Sequence, residues 1–403
     1  MSRKALNASE MKNENQKKIL DILRINPVSR AELARRTGLT RAGISVIIEE
    51  LISRGMVVEW ESVPEKAEEI SAGPKKAGRK SVELKLNESQ FVIGAISIAR
   101  DCCTVGISNF CCEILESRKI FPENGKYEPQ AVLERAALLL EEMCAGQKEK
   151  LLGIGITAPG VLDVASGYLL SPPNFPGWHD LGVCDFFKSK FKCPVVLENN
   201  AKAIALTEKY YAGEEGVGNY VEIVVDYGIG GGIVIDGKLY EGSFHSGSEF
   251  GHMTVDFTGE QCSCGNRGCA ELYATIPNII AYAQSFDPGV TTWEEIVNRA
   301  YAGDSAMEAV LERELECLAA VITNVVNIVD PEVVFLGGDI LFRQELWMNR
   351  IQKKVNQRIM RKNLNEVVIS STKIRSHKRL VPCVNLLLSR LIDNAYVLNR
   401  EKP

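Results

Sequence analysis

The sequence predicts an α/β protein: a winged helix-turn-helix at the N-terminus followed by a two-lobed α/β body. Three observations lead there. Three helical patterns and then two strand patterns occupy roughly the first 88 residues. From Phe91 onward, strand-like apolar runs alternate with helical stretches, the pattern of a layered α/β structure. The chain of 403 residues is too long for one ordinary domain and leaves room behind the head for two lobes.

The head reads as follows. Asn15 to Ile25 places Ile19, Ile22 and Leu23 at helical spacing, and Pro27 ends that helix. Ser29-Arg30-Ala31-Glu32 has the form of a capping box, opening a second helix to about Thr37, which Gly38 breaks. Thr40 caps a third helix to about Arg54, with Ile44, Ile47, Ile48 and Leu51 on one face. Met56–Trp60 and Ser81–Leu86 read as strands flanking a polar loop, Glu61 to Lys80, rich in Pro, Gly, Lys and Glu. Three helices and a two-stranded wing make a winged helix-turn-helix, whose third helix enters the major groove of DNA. Thr40, Arg41, Ala42, Ser45 and Glu49 lie away from that helix's apolar face, with positions 41, 45 and 49 in i, i+4 register. A bidentate contact to guanine is the natural use of Arg41. Ser29, Arg30, Arg35 and Arg36 suit phosphates, as do Lys75, Lys76, Arg79 and Lys80 of the wing. The same three helices would also serve as a small module for protein contacts.

In the body, strand patterns fall at Phe91–Ile98, Thr104–Ser108, Leu151–Thr157, Val195–Leu197, Val221–Val225, Gly232–Ile235 and Val333–Leu336. Helical stretches fall at Gln130–Cys144, Asn200–Tyr211, Ala306–Val329 and about Cys383–Arg400.

Composition narrows the function classes. No uncharged apolar run reaches the ~18 residues needed to span a bilayer, and no apolar leader opens the chain, so no membrane partner is expected. Twelve cysteines include two adjacent pairs, Cys102-Cys103 and Cys111-Cys112, a pattern unlike a disulfide framework, so a reducing cytoplasm is expected. The net charge of −5 conceals an asymmetry: residues 1–60 hold eleven Lys/Arg against seven Asp/Glu, leaving −9 on the remainder. A basic head on an acidic body fits a head that meets phosphate.

His252 precedes Cys262-Ser263-Cys264-Gly265-Asn266-Arg267-Gly268-Cys269. Three thiolates and one imidazole suit a closed, tetrahedral zinc site that is structural, with no position left for water. The alternative is a set of unliganded buried or redox cysteines.

Gly251-His252, the Cys-x-Cys-Gly-x-x-Gly-Cys run and Glu271 resemble the ROK family of repressors, open reading frames and sugar kinases. So do Ala158-Pro159-Gly160, Pro173 to Trp178, Glu198-Asn199-Asn200-Ala201, Gly228 to Gly232 and Asp330-Pro331-Glu332. The resemblance covers about residues 90–400, and the head resembles that of the family's repressor branch, including Gly78-Arg79-Lys80. It implies an actin-like, two-lobed sugar-kinase fold of the ribonuclease H type, divided as 1–88 for the head, 89–198 for a first lobe completed by the helix within 380–403, and 199–379 for a second lobe with the zinc site. It implies a sugar bound in the cleft by Asn174, Asn199, Glu249, His252 and Glu271. Amides, carboxylates and an imidazole are the groups that satisfy hydroxyls, which both donate and accept.

The sequence departs from the family's kinases at three places. Asn200 stands where the kinases carry the Asp that takes the hydroxyl proton, and an amide has no basic lone pair near neutral pH. Ser97 and Ala99 replace the Asp and Gly of the first strand. Asp226-Tyr227-Gly228 replaces the Gly-Thr-Gly that opens the second phosphate loop, setting a carboxylate against a triphosphate. Asn200 still hydrogen-bonds a hydroxyl. The expectation is therefore a regulator without enzymatic activity, a sugar-responsive repressor that binds a double-stranded DNA operator as a homodimer or homotetramer. The competing expectations are a sugar kinase with an added head, and a metal or thiol sensor.

Overall fold

The computed structural model describes residues 8–61, 82–122, 127–172, 175–211, 217–374, 378–394 and 396. Asn174 and the basic wing residues Lys75, Lys76, Arg79 and Lys80 lie outside them.

The head contains α1 (Ala8–Ile25), β1 (Val28–Ser29), α2 (Arg30–Thr37), α3 (Arg41–Ser53), β2 (Val57–Glu61) and β3 (Val82–Leu86). Helix α1 begins a full two turns before Asn15, because its first turns are polar and carry no apolar periodicity. The Ser29 hydroxyl accepts from the Glu32 amide at 3.2 Å, and Thr40 Oγ1 accepts from the Gly43 amide at 3.1 Å, so both helices of the turn are side-chain capped. Gly38, left-handed at φ 73°, ends α2. The Glu32 carboxylate turns to Arg35 and Arg36, so the capping box is observed in its Ser29 half. β3 runs between β1 and β2, antiparallel to both.

The body repeats one sheet plan twice. In the first lobe, β4 (Val92–Ile98), β5 (Cys103–Asn109) and β6 (Ile114–Ile120) form an antiparallel meander followed by α4 (Pro129–Met143). β7 (Leu151–Ala158) then adds parallel to β4. A small hairpin of β8 (Leu162–Asp163) and β9 (Tyr168–Leu169) and then α5 (Val183–Phe191) lead to β10 (Val195–Asn199), parallel to β7. The order is β10-β7-β4-β5-β6.

In the second lobe, α6 (Asn200–Glu208) precedes an antiparallel meander of β11 (Tyr220–Val225), β12 (Ile229–Ile235) and β13 (Lys238–Leu239). Helices α7 (Glu271–Ala274), α8 (Ile276–Gln284), α9 (Trp293–Tyr301) and α10 (Ser305–Val329) come next. β14 (Val333–Gly337), α11 (Met348–Arg358) and β15 (Val368–Ser371) complete the parallel side, giving β13-β12-β11-β14-β15. Parallel neighbours need a crossover, and α11 provides the one between β14 and β15.

The last helix, α12 (Leu380–Asp393), returns to the first lobe and packs on β4, β7 and α6. Its backbone lies directly on β7: a Cβ at Gly155 would stand 1.9 Å from the Cys383 carbonyl oxygen, so only glycine fits there.

One of the hydrophobic cores crosses from head to body. It joins Ile19, Leu20, Ile44, Ile48, Leu51 and Leu84 of the head to Phe91, Phe110 and Leu152 of the first lobe and to Val384, Leu387, Leu388 and Leu391 of α12. Each fully buried side chain of this kind stabilises by about 1.5–3 kcal/mol relative to exposure. Among the described residues, no helix is long and apolar enough to cross a membrane.

Candidate functional site

On the head, the first turn of α3 presents Arg41 and Ala42 to solvent, while Ile44, Ile47, Ile48 and Leu51 fill the core beneath. Ser45 donates its hydroxyl proton to the Arg41 carbonyl at 3.1 Å. The arginines expected at phosphates are already paired: Arg30 with Glu59 at 2.7 Å, and Arg35 and Arg36 with Glu32, each at 2.6 Å. Such exposed pairs are worth little and exchange readily for a phosphate. The Ser29 and Thr40 hydroxyls are held in the caps described above.

The metal cluster assembles as its spacing predicts. One ligand atom from each of His252, Cys262, Cys264 and Cys269 lies within 4.8 Å of the others. Cys262 Sγ is 3.8 Å from His252 Nδ1, and the Cys264 and Cys269 sulfurs are 3.6 Å apart. A tetrahedron with metal–sulfur bonds of ~2.3 Å has edges of about 3.8 Å, so the donor set and its spacing fit a zinc-sized ion. Backbone bonds fold the knuckle: Cys262 N–H donates to the Asn266 carbonyl at 2.8 Å, and Val255 N–H to the Gly268 carbonyl at 2.8 Å. Gly268 has φ 63°, and a Cβ there would fall 1.6 Å from the Asp256 oxygen, which explains the glycine before Cys269. A metal held by these four residues would brace the loop and leave no site for chemistry.

Between the lobes lie three adjoining cavities. The first, about 460 Å³, is lined by Gly160, Ser171, Glu198 and Asn199 from one lobe and by Lys202, His245, Ser246, Glu249, His252 and Ser263 from the other. The sequence-predicted residues Asn199, Glu249 and His252 thus share one wall-to-wall space. Asn199 is also the N-cap of α6: its Oδ1 accepts from the Ala201 amide at 2.9 Å, which leaves its Nδ2 as the donor for a ligand. Glu198, Lys202 and His245 were not picked out from sequence. Glu198 is buried, and burial raises its carboxyl above the usual range, although Arg390 lies 3.4 Å away. Lys202 is buried in the first turn of α6 and donates to the His245 carbonyl at 2.6 Å.

Asn200 and Glu271 fall elsewhere. Asn200 lines a second cavity, about 270 Å³, with Ser97, Ala99, Arg100, Thr157, Asp226, Tyr227 and Arg379. Its Nδ2 donates to the Ile98 carbonyl at 3.2 Å, and its Oδ1 is buried with no hydrogen-bond partner among the described residues. Asp226 accepts from the Asp339 amide, and burial raises its carboxyl to about 6. Glu271 lines the third cavity, about 480 Å³, and its Oε1 accepts from the Ile229 amide at 2.9 Å, tying the metal knuckle to the Gly228–Gly232 turn. Glu271 therefore works first as a brace.

The ROK family model matches residues 93–383, and that of the MarR family matches residues 13–65. A putative xylose repressor of Caldicellulosiruptor sp. strain Rt8B.4 is 29% identical over 389 residues, covering 92% of this chain and 94% of that protein. A glucokinase of Thermotoga maritima is 31% identical over 258 residues, covering 60% of this chain and 80% of that protein. Among solved structures, a ROK family transcriptional regulator described as a homologue of the Escherichia coli MLC protein superposes with a TM-score of 0.77 at 23% identity, over 96% of this chain and 98% of its own.

Proposed function

The chain belongs to the ROK family, and from that premise we propose that it is a sugar-responsive transcription repressor of carbohydrate-utilisation genes, without kinase activity. The observation that carries this reading is the combination of a winged head and a sugar-type cleft in which the position of the kinase base is an amide, Asn200. The likeness to xylose repressors along nearly the whole chain supports it.

In this reading, the α3 face with Arg41 enters the major groove, and Arg30, Arg35, Arg36 and the wing residues Arg79 and Lys80 take phosphates. A homodimer sets two heads on half-sites one helical turn apart, about 34–36 Å. The sugar lies in the 460 Å³ cavity against Asn199, Glu249 and His252, and Asn174, outside the described residues, is a further partner expected from the sequence. Structural Zn²⁺ held by His252, Cys262, Cys264 and Cys269 fixes the His252 ring and the loop to Glu271. The protein works in the cytoplasm, where its thiols stay reduced. Ligand binding shifts the equilibrium between lobe arrangements by its differential affinity for them.

The identity with the Thermotoga glucokinase favours a second reading, sugar phosphorylation. It requires a proton acceptor in the place of Asn200 and room for phosphates beside Asp226 and Tyr227. Losing the acceptor alone costs about 10²–10⁴-fold.

Fluorescence anisotropy with operator fragments, selected by the protein from a random DNA pool, tests the proposal. D-xylose, D-glucose and N-acetylglucosamine are titrated in turn. At least one is expected to change operator affinity tenfold or more, and Arg41→Ala is expected to weaken operator binding. A protein indifferent to all three sugars would sink the sensing half. Sugar-dependent ADP release from ATP would move the assignment to the second reading.

A further inference from the structure

Arg24, in the last turn of α1, has a side chain only 2% exposed and lies 3.4 Å from Asp21 of the same helix. It faces the body. Its Nη1 donates to the Tyr210 hydroxyl at 2.6 Å and lies 3.4 Å from the Ser389 hydroxyl. Its Nη2 donates to Asn385 Oδ1 at 2.6 Å and lies 3.4 Å from the Asn385 carbonyl. The guanidinium stacks 3.9 Å above the Tyr210 ring, and the Tyr210 hydroxyl in turn donates to Asp21 of α1 at 3.0 Å. One head residue thus grips two separate elements: α12, through Asn385 and Ser389, and the chain just beyond α6, through Tyr210.

Both elements reach the candidate sugar cavity. Asn199 and Lys202, at the start of α6, line it. Tyr210 stands ten residues after Asn200, a span of about 15 Å at helical rise. On α12, Arg390 follows Ser389 directly and pairs with Glu198, which also lines the cavity, and with Glu241. A ligand that displaces the Lys202–His245 or Arg390–Glu198 contacts therefore acts on the two elements whose other contacts hold Arg24.

We propose that Arg24 is a positioning residue, through which α6 and α12 together set the orientation of the head. This deepens the regulator reading given above, and its test lets the two fail separately. An arginine buried between head and body is a costly choice if only adhesion is needed, since apolar residues of similar volume often hold as well or better. The shared apolar core already supplies adhesion. The polar cluster adds geometry. Hydrogen bonds of 2.6 Å tolerate little sliding, and a half-broken cluster leaves a buried guanidinium with Asp21 of its own helix but short of hydrogen-bond partners. The junction is thereby made or released as a unit when α6 and α12 shift against each other.

Tyr210→Phe tests this with the full chain. It removes the hydroxyl that meets Arg24 and Asp21 and keeps the ring on which Arg24 stacks. Tyr211→Phe, at the next position, is the control. Affinity for the selected operator fragments is measured first without any sugar. Tyr210→Phe is expected to change the dissociation constant at least fivefold while Tyr211→Phe leaves it within twofold. Arg24→Lys, which keeps the charge but not the planar fork, is expected to behave like Tyr210→Phe. If both Tyr210→Phe and Arg24→Lys bind operator within twofold of the parent, the proposal is wrong. If either variant does not fold, the other decides.

The second arm repeats the titrations with D-xylose, D-glucose and N-acetylglucosamine. The sugar-induced change in operator affinity is expected to fall at least threefold in Tyr210→Phe, while calorimetric sugar affinity stays within twofold. An unaltered sugar response in the variant overturns the coupling role. A parent protein that responds to no sugar defeats the sensing reading instead, and Arg24 is then judged on the sugar-free arm.

Discussion

Two cavities of the interlobe cleft are lined by different chemistry. The 460 Å³ cavity carries a dense set of polar side chains suited to hydroxyls: Glu198, Asn199, Lys202, Glu249 and His252. The 270 Å³ cavity beside it is lined by Ser97 on β4, Ala99 just beyond it, Asn200 at the head of α6, and Asp226 and Tyr227 after β11, a set that on the proposed reading does not serve phosphate. On the proposed reading, binding and turnover are separable properties of one cleft, because the end of β10 sends Glu198 and Asn199 to one cavity and Asn200 to the other. Such a cleft would let groups on one side hold a ligand while substitutions on the other leave both sheets undisturbed. The Cys/His cluster stands on the side of the larger of these two cavities, where His252 is both a cluster member and a wall.

The largest expected effect comes from the cluster. Cys269→Ser removes one of the four candidate ligands, and the affinity of a metal held there would be folding free energy for the loop it organises. Elemental analysis should find the bound metal lost, and calorimetry should find sugar binding gone with it. Retained sugar binding without metal would show that the cavity does not depend on the brace. Next, Glu249→Gln should weaken sugar binding about 10–100-fold, the range for losing a charged hydrogen bond. In the same titration Asn200→Asp should change it less than threefold and yield no sugar-dependent ADP. Equal losses for the two variants would erase the distinction between the cavities.

The smallest effect is a pH slope. Burial raises Asp226 from 3.8 to about 6. Between those values the folded chain holds a proton that the unfolded chain has released, so the contribution of this group to stability falls as pH rises from about 4 to 6. Asp226→Asn should therefore flatten the decline in melting temperature from pH 5 to 7 by about a degree or two. An unchanged slope would place Asp226 in solvent.

Much of this was legible in the sequence, and what was not has definite causes. The capped helices of the head, β4, β7, β11, β14 and α10 follow from apolar periodicity and cap residues. β1 does not: two residues carry no period, and its partner Leu84 lies far along the chain. β6, Ile-Leu-Glu-Ser-Arg-Lys-Ile, is a largely exposed edge strand and lacks an apolar face. The convergence of His252, Cys262, Cys264 and Cys269 was readable because their spacing is local. In the cavity, Asn199 and His252 sit in recognisable motifs, whereas Lys202 reads as an ordinary helix lysine until β12 and the His245 loop enclose it. Arg24 offered no signal, since its partners lie 186 and 361 residues away.

The core that runs from Ile19 and Leu84 through Phe110 to Leu387 bears on how such proteins can be recombined. A head whose oily underside is completed by another region's last helix is not a detachable cassette. Excised, it would expose that underside and clump; transplanted, it would need a host carrying a matching α12. Calorimetry should accordingly show head and first lobe melting together as a single cooperative unit. Inheritance would then favour exchanging the few side chains that read DNA over exchanging whole heads.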